Sequence, residues 1–184
     1  MPNILLLNKP FGVISQFSGG NKAETLSAFI QEKGFYPAGR LDKDSEGLLV
    51  LTDNGKLQNQ ISDPRFKIGK TYIVQIEKII NERALEALRT GVELNDGITK
   101  PALVRRISEP SALWARTPPI RVRNSIPTSW IEITIYEGRN RQIRRMTAAV
   151  GFPTLRLVRI TVGNWQLGDL LPGQFSKQIV KALN

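Results

Sequence analysis

The segment from Gly39 to Gly55 carries the side chains best suited to chemistry. Asp42 stands between Arg40 and Lys43 in a loop that is flanked by glycines on both sides. A carboxylate beside fixed cations stays ionised and oriented, which suits a nucleophile. An isolated Arg-Leu-Asp sequence is more typical of a structural turn, so the catalytic interpretation depends on the rest of the chain.

The residue inventory narrows the available chemistry. The chain contains no His and no Cys. This excludes thiol and imidazole nucleophiles, Ser–His–Asp relays, and zinc sites built from thiolates or imidazoles. Base deaminases that need His and Cys zinc ligands are excluded with them. Any catalysis must therefore use Asp, Glu, Lys, Tyr, Ser or Thr.

A nucleotide-binding loop is also excluded. The sequence Gly69-Lys70-Thr71 resembles the end of a phosphate-binding loop, but the position of the first glycine in that pattern is occupied by Pro64. Proline removes the backbone donor and the flexibility that such a loop needs. We therefore predict no bound nucleotide, no metal and no other cofactor.

The net charge of +10 is concentrated in one half of the chain. Residues 1–98 hold 12 Lys and Arg against 12 Asp and Glu, whereas residues 99–184 hold 14 against 4. Eleven of those 14 cations are arginines, which suit forked contacts with phosphate. General solubilisation fits even charging better, so the asymmetry indicates a nucleic-acid partner.

Four arginines crowd the start of a predicted helix at residues 141–150. They are Arg139, Arg141, Arg144 and Arg145. Cations are electrostatically unfavourable at a helix N-terminus, so folding alone does not explain the cluster. A site for anions, either phosphate or a carboxylate such as Asp42, would explain it, and a solvated charged face is the alternative.

A second basic segment runs from Pro110 to Pro127. It combines prolines with Arg116, Arg121 and Arg123 and has tryptophans at its margins. The composition predicts an extended loop. Disorder and an RNA-facing arm are both compatible with it.

The periodicity of the remaining chain predicts an α+β fold with a largely antiparallel sheet. Strands are expected at residues 3–8, 48–52, 70–77, 102–107, 130–137 and 155–162. Helices are expected at residues 25–33, 56–62, 82–89 and 141–150, the last capped by Asn140. Tyr72 stands on the alternating strand at residues 70–77, where it could pack in the core, stack on a base or handle a proton.

Four ordered motifs together resemble one family. They are Asn8-Lys9-Pro10-Phe11-Gly12-Val13, the Gly39 to Gly55 segment, Lys70-Thr71-Tyr72, and the Glu137 to Met146 segment. The family is the pseudouridine synthases of the ribosomal small-subunit synthase A type. The basic arm and the short N-terminus are most similar to the members that modify large-subunit ribosomal RNA.

The resemblance implies a role for each matching residue. Asp42 would be the nucleophile, Tyr72 would stack on the target base and could move a proton, and Arg144 would form an ion pair with Asp42. Ile143 would pack beneath the site, and Arg40 would hold the displaced helix or the flipped nucleotide. Further contacts with RNA are expected from Lys70, Arg116, Arg121, Arg123, Arg139, Arg141 and Arg145.

The resemblance also implies an architecture and a partner. We expect residues 1–184 to form one catalytic domain with a bent, mostly antiparallel sheet in two lobes, helices on the outer faces, and the active site in the cleft between the lobes. No S4-type RNA-binding domain is expected before the opening motif. We expect a cytoplasmic monomer that acts on large-subunit ribosomal RNA without membrane or cofactor, and a non-enzymatic ribosome-assembly protein is the alternative.

Overall fold

Strands outnumber helices in the computed structural model, which describes residues 1–180. Within those residues the strands are β1 (Asn3–Lys9), β2 (Tyr36–Pro37), β3 (Glu46–Thr52), β4 (Lys70–Glu77), β5 (Glu93–Leu94), β6 (Gly97–Ile98), β7 (Leu103–Ile107), β8 (Thr128–Ile135), β9 (Thr154–Val162), β10 (Trp165–Gln166) and β11 (Phe175–Ile179). The helices are α1 (Gly55–Ser62), α2 (Glu82–Thr90) and α3 (Gln142–Ala149). The α+β class predicted from the sequence is confirmed.

The chain divides into two units. The first contains Met1–Ile68 together with the chain from Arg159 onward, and the second contains Gly69–Val158. Strand β9 carries the chain from the second unit back into the first.

In the first unit, β1 lies between β11 and β3, and both pairings are antiparallel. Leu5 pairs with Leu51 on one side and with Lys177 on the other. The short strand β2 also pairs with β3, and β10 pairs with β9. Because β1 and β3 are buried on both faces, their sequences are nearly continuous apolar runs rather than alternating ones.

In the second unit, β8 lies between β4 and β7 in an antiparallel sheet. Strand β4 alternates between buried and half-buried positions, with Tyr72, Val74 and Ile76 on the buried face. The hydroxyls of Thr71 and Thr134 meet at 2.8 Å across the sheet. The strand and the faces predicted for residues 70–77 are therefore both confirmed.

Local sequence signals explain the bounds of α1 and α2. The side chain of Asn54 accepts a hydrogen bond from the amide of Leu57, and that of Asn81 accepts one from Ala84. Gly91 follows α2 with a φ of 132°, a backbone conformation that favours glycine. These caps satisfy amide groups that a helix start otherwise leaves without partners.

Two helix predictions were wrong in part. Residues 25–33 form no α-helix. Leu26–Ala28 is a single 3-10 turn held by contacts with an earlier segment, since the Leu26 amide donates to the Gln16 carbonyl and the Ser27 hydroxyl to the Phe17 carbonyl. The cap of α3 is Arg141, in a left-handed conformation, and not Asn140. The short strands β2, β5, β6 and β10, and the longer β11, were not predicted.

Candidate active site

The Asp42 loop is held on both sides of the carboxylate by buried hydrogen bonds. The Ser15 hydroxyl donates to the Leu41 carbonyl at 2.7 Å and accepts from the Leu41 amide at 3.0 Å. On the other side, the Gly12 amide donates to the Lys43 carbonyl at 2.8 Å. The two residues that flank Asp42 are therefore fixed by groups more than 25 positions away in the sequence.

Lys9 supports the same loop from inside the first unit. Its side chain is fully buried. The ammonium group donates to the carbonyls of Val13 at 2.6 Å, Pro10 at 2.9 Å and Lys43 at 3.5 Å. The last of these joins the opening motif to the residue that follows Asp42.

The electrostatic environment of Lys9 includes the candidate nucleophile. Burial lowers the pKa of Lys9 to about 7, because desolvation disfavours the charged form. The carboxylates of Glu46, Asp44 and Asp42 act in the opposite direction, and Arg159 adds to the lowering. Lys9 therefore titrates near neutral pH.

Arg159 fixes the two ends of the segment that carries Asp42. Its side chain is 1% exposed. Its Nη2 donates to the Gly39 carbonyl and its Nε to the Leu48 carbonyl, both at 2.8 Å. Gly39 and Gly47 have φ angles of 78° and 100°, so the loop enters and leaves its turn through conformations that favour glycine.

Asp42 opens onto a depression in the first unit. The depression has a volume of about 310 Å³. Asp42 is half-buried, and Arg40 is exposed on the same rim. The two residues that the sequence singled out together are thus together in space, with a carboxylate accessible to a ligand and a cation beside it.

In the second unit, the predicted residues of β4 are mostly covered. Tyr72 is 8% exposed and Lys70 is 7% exposed. Ile143 on α3 is 3% exposed. Arg144, on the same helix, is half-buried.

The start of α3 is built around a buried carboxylate. Glu137, which is 6% exposed, accepts hydrogen bonds from the Lys100 amide and from the Gln142 side chain, both at 2.8 Å. Gln142 in turn accepts from the Arg139 amide at 3.1 Å. This network fixes the turn that precedes α3 and its arginines.

Two of the four clustered arginines bind the β5–β6 hairpin. Arg145 donates to both carboxylate oxygens of Asp96, at 2.8 and 3.1 Å. Arg139 donates to the carbonyls of Gly97 at 2.9 Å and Ile98 at 2.7 Å. The hydrogen bond from Arg145 is the largest of the influences that lower the pKa of Asp96. Arg139 and Arg145 therefore hold the hairpin in place, whether or not they also make the RNA contacts predicted for them. Arg141 is exposed.

The basic arm at residues 110–127 contains no regular strand or helix, but it is fastened at several points. Arg156 donates to the Trp114 carbonyl at 2.9 Å and lies 5.7 Å from the centre of its ring. Arg123 lies 3.5 Å from Glu77, and Arg116 donates to the Pro118 carbonyl at 2.8 Å. The arm also covers a cavity of about 150 Å³, and its exposed side chains include Arg121.

The sequence reasoning missed Lys9, Ser15 and Arg159 as parts of the site. Lys9 lies in the opening motif, which was used only for recognition. Arg159 interrupts an apolar strand sequence between Val158 and Ile160, and a cation in such a position is a signal for a buried role. Ser15 gives no comparable local signal.

Neither a metal site nor a membrane span is visible in the part of the chain that the structure describes. Residues 1–180 hold no group of three or more Asp or Glu side chains arranged to bind a metal ion. No helix in those residues is both long enough and apolar enough to cross a bilayer.

The fold and the site define an α+β protein that presents a loop-borne carboxylate beside an exposed arginine and a strongly basic second half. The family model described as RNA pseudouridylate synthase matches residues 3–149. The chain belongs to this family, and it is an enzyme that isomerises uridine.

Individual relatives agree with this assignment. A protein of Xanthomonas axonopodis pv. citri named ribosomal large subunit pseudouridine synthase E is 56% identical over 171 residues, which are 92% of this chain and 90% of the relative. A protein of the same name from Vibrio parahaemolyticus is 53% identical over 95% of this chain and 73% of its own length. A crystal structure titled as a pseudouridylate synthase matches 97% of this chain and 71% of its own, with 27% identity and a TM-score of 0.76.

The lowered pKa of Lys9 predicts a pH dependence of stability. Between the folded pKa of about 7 and the unfolded value of 10.5, the unfolded chain holds a proton on Lys9 that the folded chain has released. Stability must therefore rise with pH in this range, by at most about 1.4 kcal/mol per pH unit. Between pH 7 and pH 9, the unfolding free energy of the wild type should increase relative to that of Lys9→Met, as measured by denaturant titration. Parallel curves for the two proteins would contradict the lowered pKa.

Proposed function

We propose that this protein converts a specific uridine of large-subunit ribosomal RNA to pseudouridine, with Asp42 as the nucleophile. The observation that carries the proposal is the Asp42 loop, in which both flanking residues are fixed and the carboxylate faces an open depression. A nucleophile must be held in a reactive geometry, and such fixation supplies it. The names of the relatives support the choice of RNA.

The reaction is an isomerisation that this inventory of residues can support. The N1–C1′ bond of uridine breaks, the base turns, and a C5–C1′ bond forms. The hydrogen on C5 is lost as a proton and N1 gains one, so atoms balance without any redox partner. Addition of a carboxylate to C6 of the ring and attack on C1′ of the ribose both need the negative charge of Asp42.

Residues of the second unit complete the proposal. Tyr72 stacks on the target base, with its hydroxyl available for proton transfer, and Arg144 stabilises the charge of the ionised nucleophile. Removal of uridine from its helix costs a few kcal/mol, which contacts with phosphate and stacking must offset. The exposed cations Arg40, Arg121 and Arg141 suit the phosphate contacts. We propose that residues 1–184 act as one catalytic domain, in the cytoplasm and as a monomer.

The substitution Asp42→Asn tests the nucleophile. It retains the shape of the side chain and removes the negative charge, so pseudouridine formation should fall below detection. Binding of RNA should stay within a modest factor of the wild type, because phosphate contacts lie elsewhere. Purified protein is incubated with unmodified ribosomal RNA, and pseudouridine is mapped along it.

Asp53→Asn is the matched control for this experiment. Asp53 accepts hydrogen bonds from the Asn3 amide at 2.8 Å and from its side chain at 2.6 Å, so it serves a turn at the end of β3. This variant should retain substantial activity. A wild type that binds RNA but makes no pseudouridine would favour the ribosome-assembly alternative, and an active Asp42→Asn would refute the mechanism.

Arg144 and Arg145 should differ in function although they are neighbours on α3. Arg144→Ala should reduce turnover strongly, since Arg144 stabilises the negative charge of Asp42 in the proposed mechanism. Arg145→Ala should reproduce the milder effect of Asp96→Ala, because the two residues form one bidentate pair. Turnover, RNA affinity and thermal unfolding are compared for the three variants. If Arg145→Ala weakens RNA binding and Asp96→Ala does not, Arg145 contacts RNA directly.

The basic arm should contribute to the salt dependence of RNA binding. Each phosphate contact that is lost makes the fall of affinity with salt less steep. We expect Arg121→Ala combined with Arg123→Ala to weaken binding and to flatten this slope, measured by titration between about 50 and 200 mM salt. Arg83→Ala, an exposed arginine on α2, is the control. An unchanged slope in the double variant would show that the arm does not touch RNA.

A further inference from the structure

A second groove lies beside the Asp42 depression in the first unit. It has a volume of about 490 Å³, within the range of small-ligand sites. Two aromatic side chains line it, Phe17 and Tyr36, together with the amides of Gln16 and Gln58. Tyr36 is 60% exposed, so its ring is accessible to a ligand. We refer to this feature as the aromatic groove.

One wall of the aromatic groove is held rigidly by the sheet. Tyr36 lies on β2, where it pairs with Thr52 of β3, and the adjacent Pro37 pairs with Leu51. The Gln58 side chain on α1 donates to the Pro37 carbonyl at 2.9 Å, which fixes the orientation of its amide. The exposed ring of Tyr36 therefore stands on regular structure rather than on a loose loop.

Residues 15–17 form another part of the lining, and hydrogen bonds fix this segment and the adjacent Ile14. The Ile14 amide donates to the Glu24 carbonyl at 2.8 Å, and the Gln16 carbonyl accepts from the Leu26 amide at 2.8 Å. The Phe17 carbonyl accepts from the Ser27 hydroxyl at 2.6 Å. Both aromatic rings are thus carried on backbone that is already ordered, which lowers the entropic cost of binding a ligand.

The aromatic groove adjoins the Asp42 depression. Ser15, Gln16 and Arg40 line both cavities. Ser15 also makes the two hydrogen bonds that fix Leu41. A ligand that filled both cavities would therefore pass Arg40, whose guanidinium suits a phosphate at the junction.

We propose that the aromatic groove binds the base of the nucleotide directly adjacent to the target uridine on the same RNA strand. The inference rests on the proposed function, because it takes the Asp42 depression as the site of that uridine. The phosphate between the two nucleotides lies against Arg40, one base enters each cavity, and the groove makes the enzyme sensitive to the neighbouring base.

The chemistry of the lining favours a nucleobase. Aromatic side chains stack on any base, because every base has a flat π-face, and amides of Gln16 and Gln58 can hydrogen-bond to its edge. Stacking holds the neighbouring nucleotide outside the RNA helix, and this stabilises the displaced conformation that access to uridine requires. The groove thus contributes to both binding and base displacement.

The test uses an RNA fragment that contains the uridine modified by the wild type. Loss of one stacked base reduces affinity by about ten-fold or more. We expect Tyr36→Ala and Phe17→Ala to lower kcat/KM on this fragment by about that factor, and Tyr36→Phe, which keeps the ring, to recover most of the loss. The control is Phe66→Ala, since Phe66 is 46% exposed and lies outside both cavities.

A second experiment removes the base instead of the side chain. Fragments that lack the base on the 5′ or on the 3′ side of the target uridine are compared with the intact fragment. For the side whose base enters the groove, the abasic fragment should be a poor substrate for the wild type, and Tyr36→Ala should cause little further loss on it. An equal loss for Tyr36→Ala on the intact fragment and on both abasic fragments would overturn the proposal.

Failure of the inference and failure of the proposed function give different results. If the wild type forms no pseudouridine, the proposed function fails and the inference fails with it. If the wild type is active and Tyr36→Ala and Phe17→Ala match Phe66→Ala, the inference alone fails. Circular dichroism spectra that superimpose on the wild type exclude unfolding as the cause of a loss.

Discussion

Two buried basic side chains that donate to main-chain carbonyls are the constraint on which the candidate site depends. Lys9 and Arg159 are among the largest fully buried side chains of the described residues. A buried charge is costly unless hydrogen bonds and opposite charges compensate it. Both carbonyls that accept from Arg159 lie in the segment that carries Asp42, whereas Lys9 donates mainly to the opening motif and reaches the Asp42 segment through its longest contact, to Lys43. The hydrogen bonds that satisfy Lys9 and Arg159 therefore also help to fix the segment that carries Asp42.

This arrangement separates two uses of positive charge within the first unit. The buried Lys9 and Arg159 side chains bind the backbone, whereas Arg40 is exposed beside the open depression. The backbone contacts of Lys9 and Arg159 hold the loop through groups of the protein itself. The exposed cation is available for a polyanion, and a loop held by internal contacts loses less conformational entropy when it binds one.

Short sequence patterns predicted the strands and helices that are specified by residues close together in the sequence. Alternation identified β4, and Asn81 with Gly91 identified α2, because a strand face and a helix cap are encoded within a few residues. In place of the α-helix expected at residues 25–33 there is a 3-10 turn, and its contacts are with Gln16 and Phe17, ten residues earlier. The role of Arg159 was missed for the same reason, since its partner Leu48 is 111 residues away and no short pattern records that contact. The position of Asp42 was predicted, whereas the means by which it is held was not.

The arginine cluster of α3 shows how one sequence feature can hold two functions. Four arginines near a helix N-terminus conflict with the helix dipole, and this conflict suggested a single anion site. Two of them, Arg139 and Arg145, meet carbonyls and the Asp96 carboxylate of the β5–β6 hairpin, so part of the conflict is resolved within the second unit. The same contacts draw the hairpin against the start of α3, where Glu137 and Gln142 fix the turn. Part of the cluster therefore holds the hairpin in place, and less positive charge remains to bind a polyanion than the sequence indicates.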